Sequence, residues 1–198
     1  MSPGRITLQD VDFSHDGRQL AAAGLGGFVE IWDVVHRRLE RKVGHEPLLF
    51  AIRFSPDGKQ IATGDSTGSV AFWDAATGRQ APQLRTEVGF VASVTFSPDG
   101  SEVMTTGGDG TLRLWDLASH KLVGGPLPGS NTTGWGTYFP DGRNVIAVFG
   151  SGVGVVWDVD PADWERAACA VANRELTAAE WHDFVPERGY RRVCTVAH

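Results

Sequence analysis

Four aspartates, each followed by glycine, recur along the chain at Asp16, Asp57, Asp99 and Asp141. Carboxylates repeated in this way could act as general acids or bases if the fold drew them together. Ser55 and Ser97 stand two residues before two of them, where an activated hydroxyl could serve as a nucleophile. His45 adds an imidazole, and GSGVGVVW at 150–157 is glycine-rich, as phosphate-binding loops are. Cys169 and Cys194 are the only cysteines and share the C-terminal stretch with His182 and His198.

Each of these has a simpler account. Asp-Gly, three times after proline, supplies the positive-φ residue of a tight hairpin, so the aspartates recur because a turn recurs. The serines belong to the same turns, with no nucleophile elbow around them. The glycine-rich run lacks the Gly-Lys-Ser/Thr of a phosphate loop and reads as a turn and a strand. The two cysteines can be small packed residues, a disulfide, or ligands with the two histidines; no CxxC or HxxxH spacing favours a metal.

The elements that hold these residues repeat. Trp32-Asp33, Trp73-Asp74, Trp115-Asp116 and Trp157-Asp158 are 41, 42 and 42 residues apart, and the Asp-Gly pairs keep the same intervals. Two independent markers on one period make four copies of one supersecondary unit. Each copy opens on a strand with apolar residues at i, i+3 and i+5: Leu8, Val11, Phe13; Leu49, Ile52, Phe54; Val91, Val94, Phe96. The fourth opening, Thr133, Gly136, Tyr138, is weaker. That spacing is an alternation broken once, as a β-bulge breaks it. A hairpin, a second strand, a glycine-rich turn and a third strand ending in Trp-Asp follow. Weaker fourth strands are expected at 38–43, 80–85 and 121–124. Four antiparallel strands per copy make one propeller blade.

VDFSHDG, IRFSPDG, VTFSPDG and the four Trp-Asp pairs resemble the WD40-repeat family over about residues 4–160. The resemblance implies an all-β fold of four-stranded blades, about 4–43, 44–85, 86–127 and 128–160, and a helical cap over 161–198. It implies a binding role without catalysis and without a cofactor. It also implies a buried network of His, Ser/Thr, Asp and Trp in each blade. His45, Thr63 and Trp73 match it in the second copy, with Thr67 where the turn Asp would stand. Thr106, Asp109 and Trp115 match it in the third, with Glu87 in place of His. The first and fourth copies lack both His and Asp.

Propellers close with roughly four to eight blades. Four WD40-type blades suit part of a larger ring, so the ring is expected to be incomplete in one chain. A two-fold pair of chains would give eight. Asp160-Pro161 can cap a helix, and Trp164, Ala167, Ala168, Val171 and Ala172 then line one face. Thr177–Glu180 is a capping box for a second helix carrying Trp181 and Phe184. Trp164, Cys169, Leu176, Thr177, Glu180, Trp181, Tyr190 and Cys194 resemble the C-terminal segment of bacterial WD40 signalling proteins.

With 41% hydrophobic and 21% charged residues, 198 residues can bury a sizeable core. A net charge of −6 opposes nucleic-acid binding, and Arg37, Arg38, Arg41 and Lys42 fall on an outer strand expected to be solvated. No apolar run reaches membrane-spanning length and no signal peptide opens the chain, so a cytoplasmic protein is expected. In the WD40 family, partners most often meet the face where the first strands begin. Carried across, that face is Thr7 and Gln9, Leu48 and Phe50, Phe90 and Ala92, and Thr132 with Gly134 and the nearby Trp135. The leading reading is a protein-interaction scaffold in a signalling or regulatory assembly. A hydrolase using the propeller channel and a self-assembling structural module are the alternatives.

Overall fold

The computed structural model describes residues 7–44, 47–86, 89–164, 166 and 177–179. Among these residues sixteen strands form four antiparallel sheets in chain order. The first holds β1 (Leu8–Phe13), β2 (Gln19–Gly24), β3 (Val29–Asp33) and β4 (Arg38–Val43). The second holds β5 (Leu49–Phe54), β6 (Gln60–Asp65), β7 (Ser69–Asp74) and β8 (Leu84–Arg85). The third holds β9 (Val91–Phe96), β10 (Glu102–Gly107), β11 (Thr111–Asp116), β12 (Lys121–Leu122) and β13 (Leu127–Pro128). The fourth holds β14 (Gly134–Tyr138), β15 (Asn144–Phe149) and β16 (Gly154–Asp158).

The turns between first and second strands share one chemistry. In the first, the Ser14 hydroxyl donates to Asp16 Oδ1 at 2.7 Å and accepts the Gln19 N–H at 2.9 Å, while Asp16 Oδ1 takes the Arg18 N–H at 3.0 Å. Ser55/Asp57 and Ser97/Asp99 repeat this bond for bond. Gly17, Gly58, Gly100 and Gly142 each adopt φ between 68° and 73°, a region that penalises a side chain. Phe139 replaces the serine in the fourth turn, and Asp141 still takes the Arg143 N–H at 3.0 Å. The recurring aspartates and serines are therefore spent on turns.

The Trp-Asp aspartates cap the next turn. Asp33 accepts the His36 N–H at 3.0 Å, Asp74 that of Thr77 at 2.7 Å and Asp116 that of Ser119 at 2.7 Å. Gly78 gives the second of these turns its φ of 72°, whereas Arg37 and His120 adopt 51° and 59° in the other two at a steric cost.

The expected bulges are present in three copies. Pairing steps from Leu8↔Gly24 to Asp10↔Ala23, from Leu49↔Asp65 to Ala51↔Gly64, and from Val91↔Gly107 to Ser93↔Thr106, bypassing Gln9, Phe50 and Ala92. β14 pairs with β15 without a shift.

The fourth strands depart most from expectation. Only β4 has its full length. Pro82 offers no N–H, so the strand expected at 80–85 reduces to a Trp73↔Gln80 bridge and β8. Gly124, at φ 68°, and Pro126 split the outer strand of the third sheet into β12 and β13, both on β11. The fourth sheet has three strands among the described residues.

The core lies between sheets, in three layers. The second and third sheets each turn one face to their successor and the other, bearing their Trp, to their predecessor; the first packs only on its successor and the fourth only on its predecessor. Ala21, Val29 and Ile31 of the first sheet meet Ile52, Phe54 and Trp73 of the second. Ala62, Val70 and Phe72 meet Val94, Phe96 and Trp115. Met104, Leu112 and Leu114 meet Tyr138, Val145 and Ala147, with Trp157 packed alongside. Burial of these faces is the main favourable term in holding blade to blade.

Asp160 caps a helical turn at 161–164, its Oδ1 accepting the Ala162 N–H at 2.8 Å with Pro161 between, as the sequence predicts. Trp164 packs against the third layer and donates to Asp158 O at 2.7 Å. Residues 178–179 are helical. The cap's remaining expectations, including Trp181, Phe184 and the pairing of Cys169 with Cys194, lie outside the described residues.

Candidate interaction rim

Trp networks fix the blades that carry the rim. Trp73 Nε1 donates to Thr63 Oγ1 at 3.0 Å, and Thr63 is fully buried. His45, the third expected member, lies outside the described residues. In the third sheet Trp115 Nε1 donates at 3.0 Å to Thr105, not to Thr106. Successive strand residues point to opposite faces, so Thr106 faces the fourth sheet and donates to Gly134 O at 2.5 Å. Counting from the hairpin finds the right residue: Thr63 and Thr105 both stand six after their Asp57 and Asp99. Asp109 also stays out of the Trp network. It caps the β10–β11 turn through Thr111 and binds Arg113 at 3.0 Å. In the second sheet Asp65 does the turn's work, taking the N–H groups of Thr67 at 2.7 Å and Ser69 at 3.0 Å. Trp32 and Trp157 have Ala22 and Ala147 at the matching position, which offer no hydroxyl.

Polar stitches link neighbouring sheets at the first strands. Asp12 Oδ2 accepts the Phe54 N–H at 2.8 Å, and Thr95 donates to Gly136 O at 3.0 Å. Burial holds the Asp12 carboxyl above its ordinary range against the opposing Phe54 N–H and Arg53. Tyr138 donates to Glu102 at 3.2 Å, and burial, then the Glu102 carboxylate, raise its hydroxyl.

The rim itself forms where the first strands begin. Thr7 O, Leu48 O, Phe90 O and Thr133 O each accept the N–H that follows the second strand, at 3.0, 2.9, 3.1 and 3.0 Å, which fixes equivalent positions. Phe50 occupies the bulge of β5, and its ring sits 5.5 Å from that of Phe90, tilted by 57°. The Phe90 ring covers Gly108 so closely that a Cβ there would lie 2.4 Å from it. Both rings are half-buried, and Leu48, two residues before Phe50, is 44% exposed. Thr7 and Gln9 are exposed at the corresponding place on the first sheet.

The other expected rim residues are placed differently. Ala92 is 7% exposed and presents no surface to a partner. Because β14 has no bulge, Thr133 and not Thr132 is the equivalent of Phe90; Thr132 Oγ1 instead accepts the Ser151 N–H at 3.1 Å. Trp135 pairs with Val148 and shares its face, so it stands on the open side of the fourth sheet.

The basic cluster is mostly engaged. Arg41 donates to Ala75 O at 3.0 Å, Arg38 lies 3.6 Å from Asp33, and Lys42 lies 3.2 Å from Glu30 and 4.3 Å from the centre of the Phe28 ring. Among the described residues no group of three or more His, Cys, Asp and Glu is arranged to hold a metal, and no helix is long and apolar enough to cross a membrane.

The family model of the WD domain, G-beta repeat, matches residues 5–33, 37–74 and 82–116, just over half of the chain. The chain belongs to the WD40-repeat family. The matched stretches contain β1 to β11; the fourth sheet lies outside them and is the one without a bulge or a turn serine, and like the first it has no hydroxyl bonded to its Trp. A comparison with curated proteins gives no match. WD40 repeats generally mediate protein–protein interaction and are typically non-catalytic.

Proposed function

We propose that this WD40 chain is a non-catalytic scaffold that docks a protein or peptide on the rim built by Leu48, Phe50 and Phe90, with Thr7 and Gln9 beside it. The observation that carries the reading is the ring pair. Two aromatics from adjacent blades meet at 5.5 Å yet remain half-buried, with an exposed leucine two residues before one of them. Aromatic side chains held rigid at a surface are what interaction hot spots use. The net charge of −6 favours a protein partner over nucleic acid. The tail's resemblance to bacterial WD40 signalling proteins supports a cytoplasmic signalling or regulatory assembly as the setting. The geometry gives the hydrolase alternative no comparable support, because the recurring aspartates and serines are bound up in turns.

The reading is tested by selecting peptides from a displayed library against the intact chain. Affinities are then measured calorimetrically for the wild type and for Phe50→Ala/Phe90→Ala. Selected peptides should carry apolar or aromatic anchors and bind the folded double variant at least about tenfold more weakly, the loss of one hot-spot contact. Equal affinity for both proteins would overturn it.

A further inference from the structure

The two outer faces of the array are different halves of one junction. At each internal junction the later sheet supplies a first-strand aromatic and a Trp, and the earlier sheet supplies an apolar socket. Phe54 and Trp73 share a face through Ile61, and Phe13 and Trp32 share one through Leu20 in the same register. Phe54 is 7% exposed against its neighbour, whereas Phe13 is 55% exposed. The socket repeats likewise. Ile31, Phe72 and Leu114 are buried at corresponding positions, and Val156, which follows in that series, is 53% exposed. Val148 beside it is 53% exposed, and Trp135 on the same face 55%.

The polar stitch repeats as well. Asp12, Thr95 and Thr137 occupy one register position, since Phe13, Phe54, Phe96 and Tyr138 all close their hairpins in the same pairing. Asp12 and Thr95 each bond the backbone of the next sheet. Thr137 stands exposed on the open face, with a 3.4 Å contact to its own neighbour's carbonyl. The open face of the first sheet carries one charged pair, Glu30 with Lys42, which neutralise each other. The helical turn at 161–164 does not cover the socket, because Trp164 packs on the opposite side, against the third layer.

We propose that the socket of the fourth sheet docks onto the Phe13–Trp32 face of a second copy of this chain, and that two copies close an eight-blade ring through two identical head-to-tail junctions. Thr137 then donates to Val11 O of the second copy, as Thr95 donates to Gly136 O within the chain. A second copy is the occupant because both complementary halves, with aromatic, Trp, socket and stitch in one register, lie on the same chain. Eight blades fall within the range in which propellers close, and closure separates such a ring from an open filament.

The test is sedimentation velocity on the full chain over a wide concentration range, with circular dichroism to verify folding. The wild type should sediment at twice the chain mass of 21.3 kDa. Phe13→Asp and Val148→Asp change residues already exposed, and each should give folded single chains. Mixing the two variants should restore paired chains, because one junction stays intact between them. Thr137→Arg provides a second socket-side variant should Val148→Asp fail to fold. A folded wild-type monomer at every concentration, or a mass other than two chains, would overturn the proposal. So would one face's variant remaining paired, which would mean that like faces meet. Peptide binding at the rim is measured separately, so loss of either result leaves the other standing.

Discussion

Arg53 reaches from the second blade to the first, where its Nη1 lies 2.6 Å from Asp10 Oδ2, and the same oxygen accepts the Ile52 N–H at 3.0 Å. With Asp12 on Phe54, two acids of β1 therefore satisfy backbone groups of the neighbouring blade. Asp12→Asn keeps an acceptor and removes a partly buried charge, so its stability at pH 7 should equal or exceed the wild type. Asp12→Ala leaves the Phe54 N–H unpaired and should cost about 1–3 kcal/mol. Because the folded Asp12 carboxyl titrates above 3.8, its ionisation weighs against folding at neutral pH, and any advantage of Asn should shrink as pH falls through that range. Urea melts at pH 7 and pH 4 check both parts.

Asp33 carries the opposite sign. The backbone N–H of His36, then its side chain, hold the Asp33 carboxyl down at about 2. A depressed carboxylate stabilises the fold above its unfolded value of 3.8 and loses that contribution as pH falls towards about 2. Asp57 is lowered in the same direction by the Ser55 hydroxyl and then the Lys59 N–H. Acid melts should thus steepen below about pH 4, and Asp33→Asn should flatten that limb while lowering stability at pH 7.

Thr105 and Thr106 are adjacent but hold different junctions, one through Trp115 and the other through Gly134 O. Each changed to Val should cost about 1–3 kcal/mol. In double-mutant cycles with Trp115→Phe, Thr105→Val should couple strongly, while Thr106→Val should be additive to within about 0.5 kcal/mol.

His120 and Arg37 hold positive φ where Gly78 serves the second blade. Relief of left-handed strain of roughly 1–2 kcal/mol, offset by the entropy glycine loses on folding, should leave His120→Gly more stable by up to about 1 kcal/mol. Thermal melts check the sign.

Most of the blade was legible in the sequence because its turns demand particular residues. Asp-Gly after serine dictates one hairpin, and Leu8, Val11 and Phe13 betray the bulge by their broken alternation. What stayed hidden depends on parity and neighbours. A one-residue misalignment moves a threonine to the other face, which is why Thr106 stood in for Thr105. The absent bulge in β14 shifted Thr132 off the rim. Trp135 looked like a rim aromatic because sequence proximity does not say which face of a sheet a residue occupies. The split outer strand follows from Gly124 and Pro126; the strand expected at 121–124 ran through Gly124 and did not anticipate β13.

The most direct measurement is on Leu48, whose side chain is already 44% exposed and so owes little to packing. Leu48→Asp should leave the thermal midpoint of the chain unchanged within about a degree, since exposed substitutions cost little. It should weaken the selected peptides at least about tenfold, the equivalent of about 1.4 kcal/mol. Undiminished peptide affinity in this folded variant would contradict a docking rim at Leu48, Phe50 and Phe90.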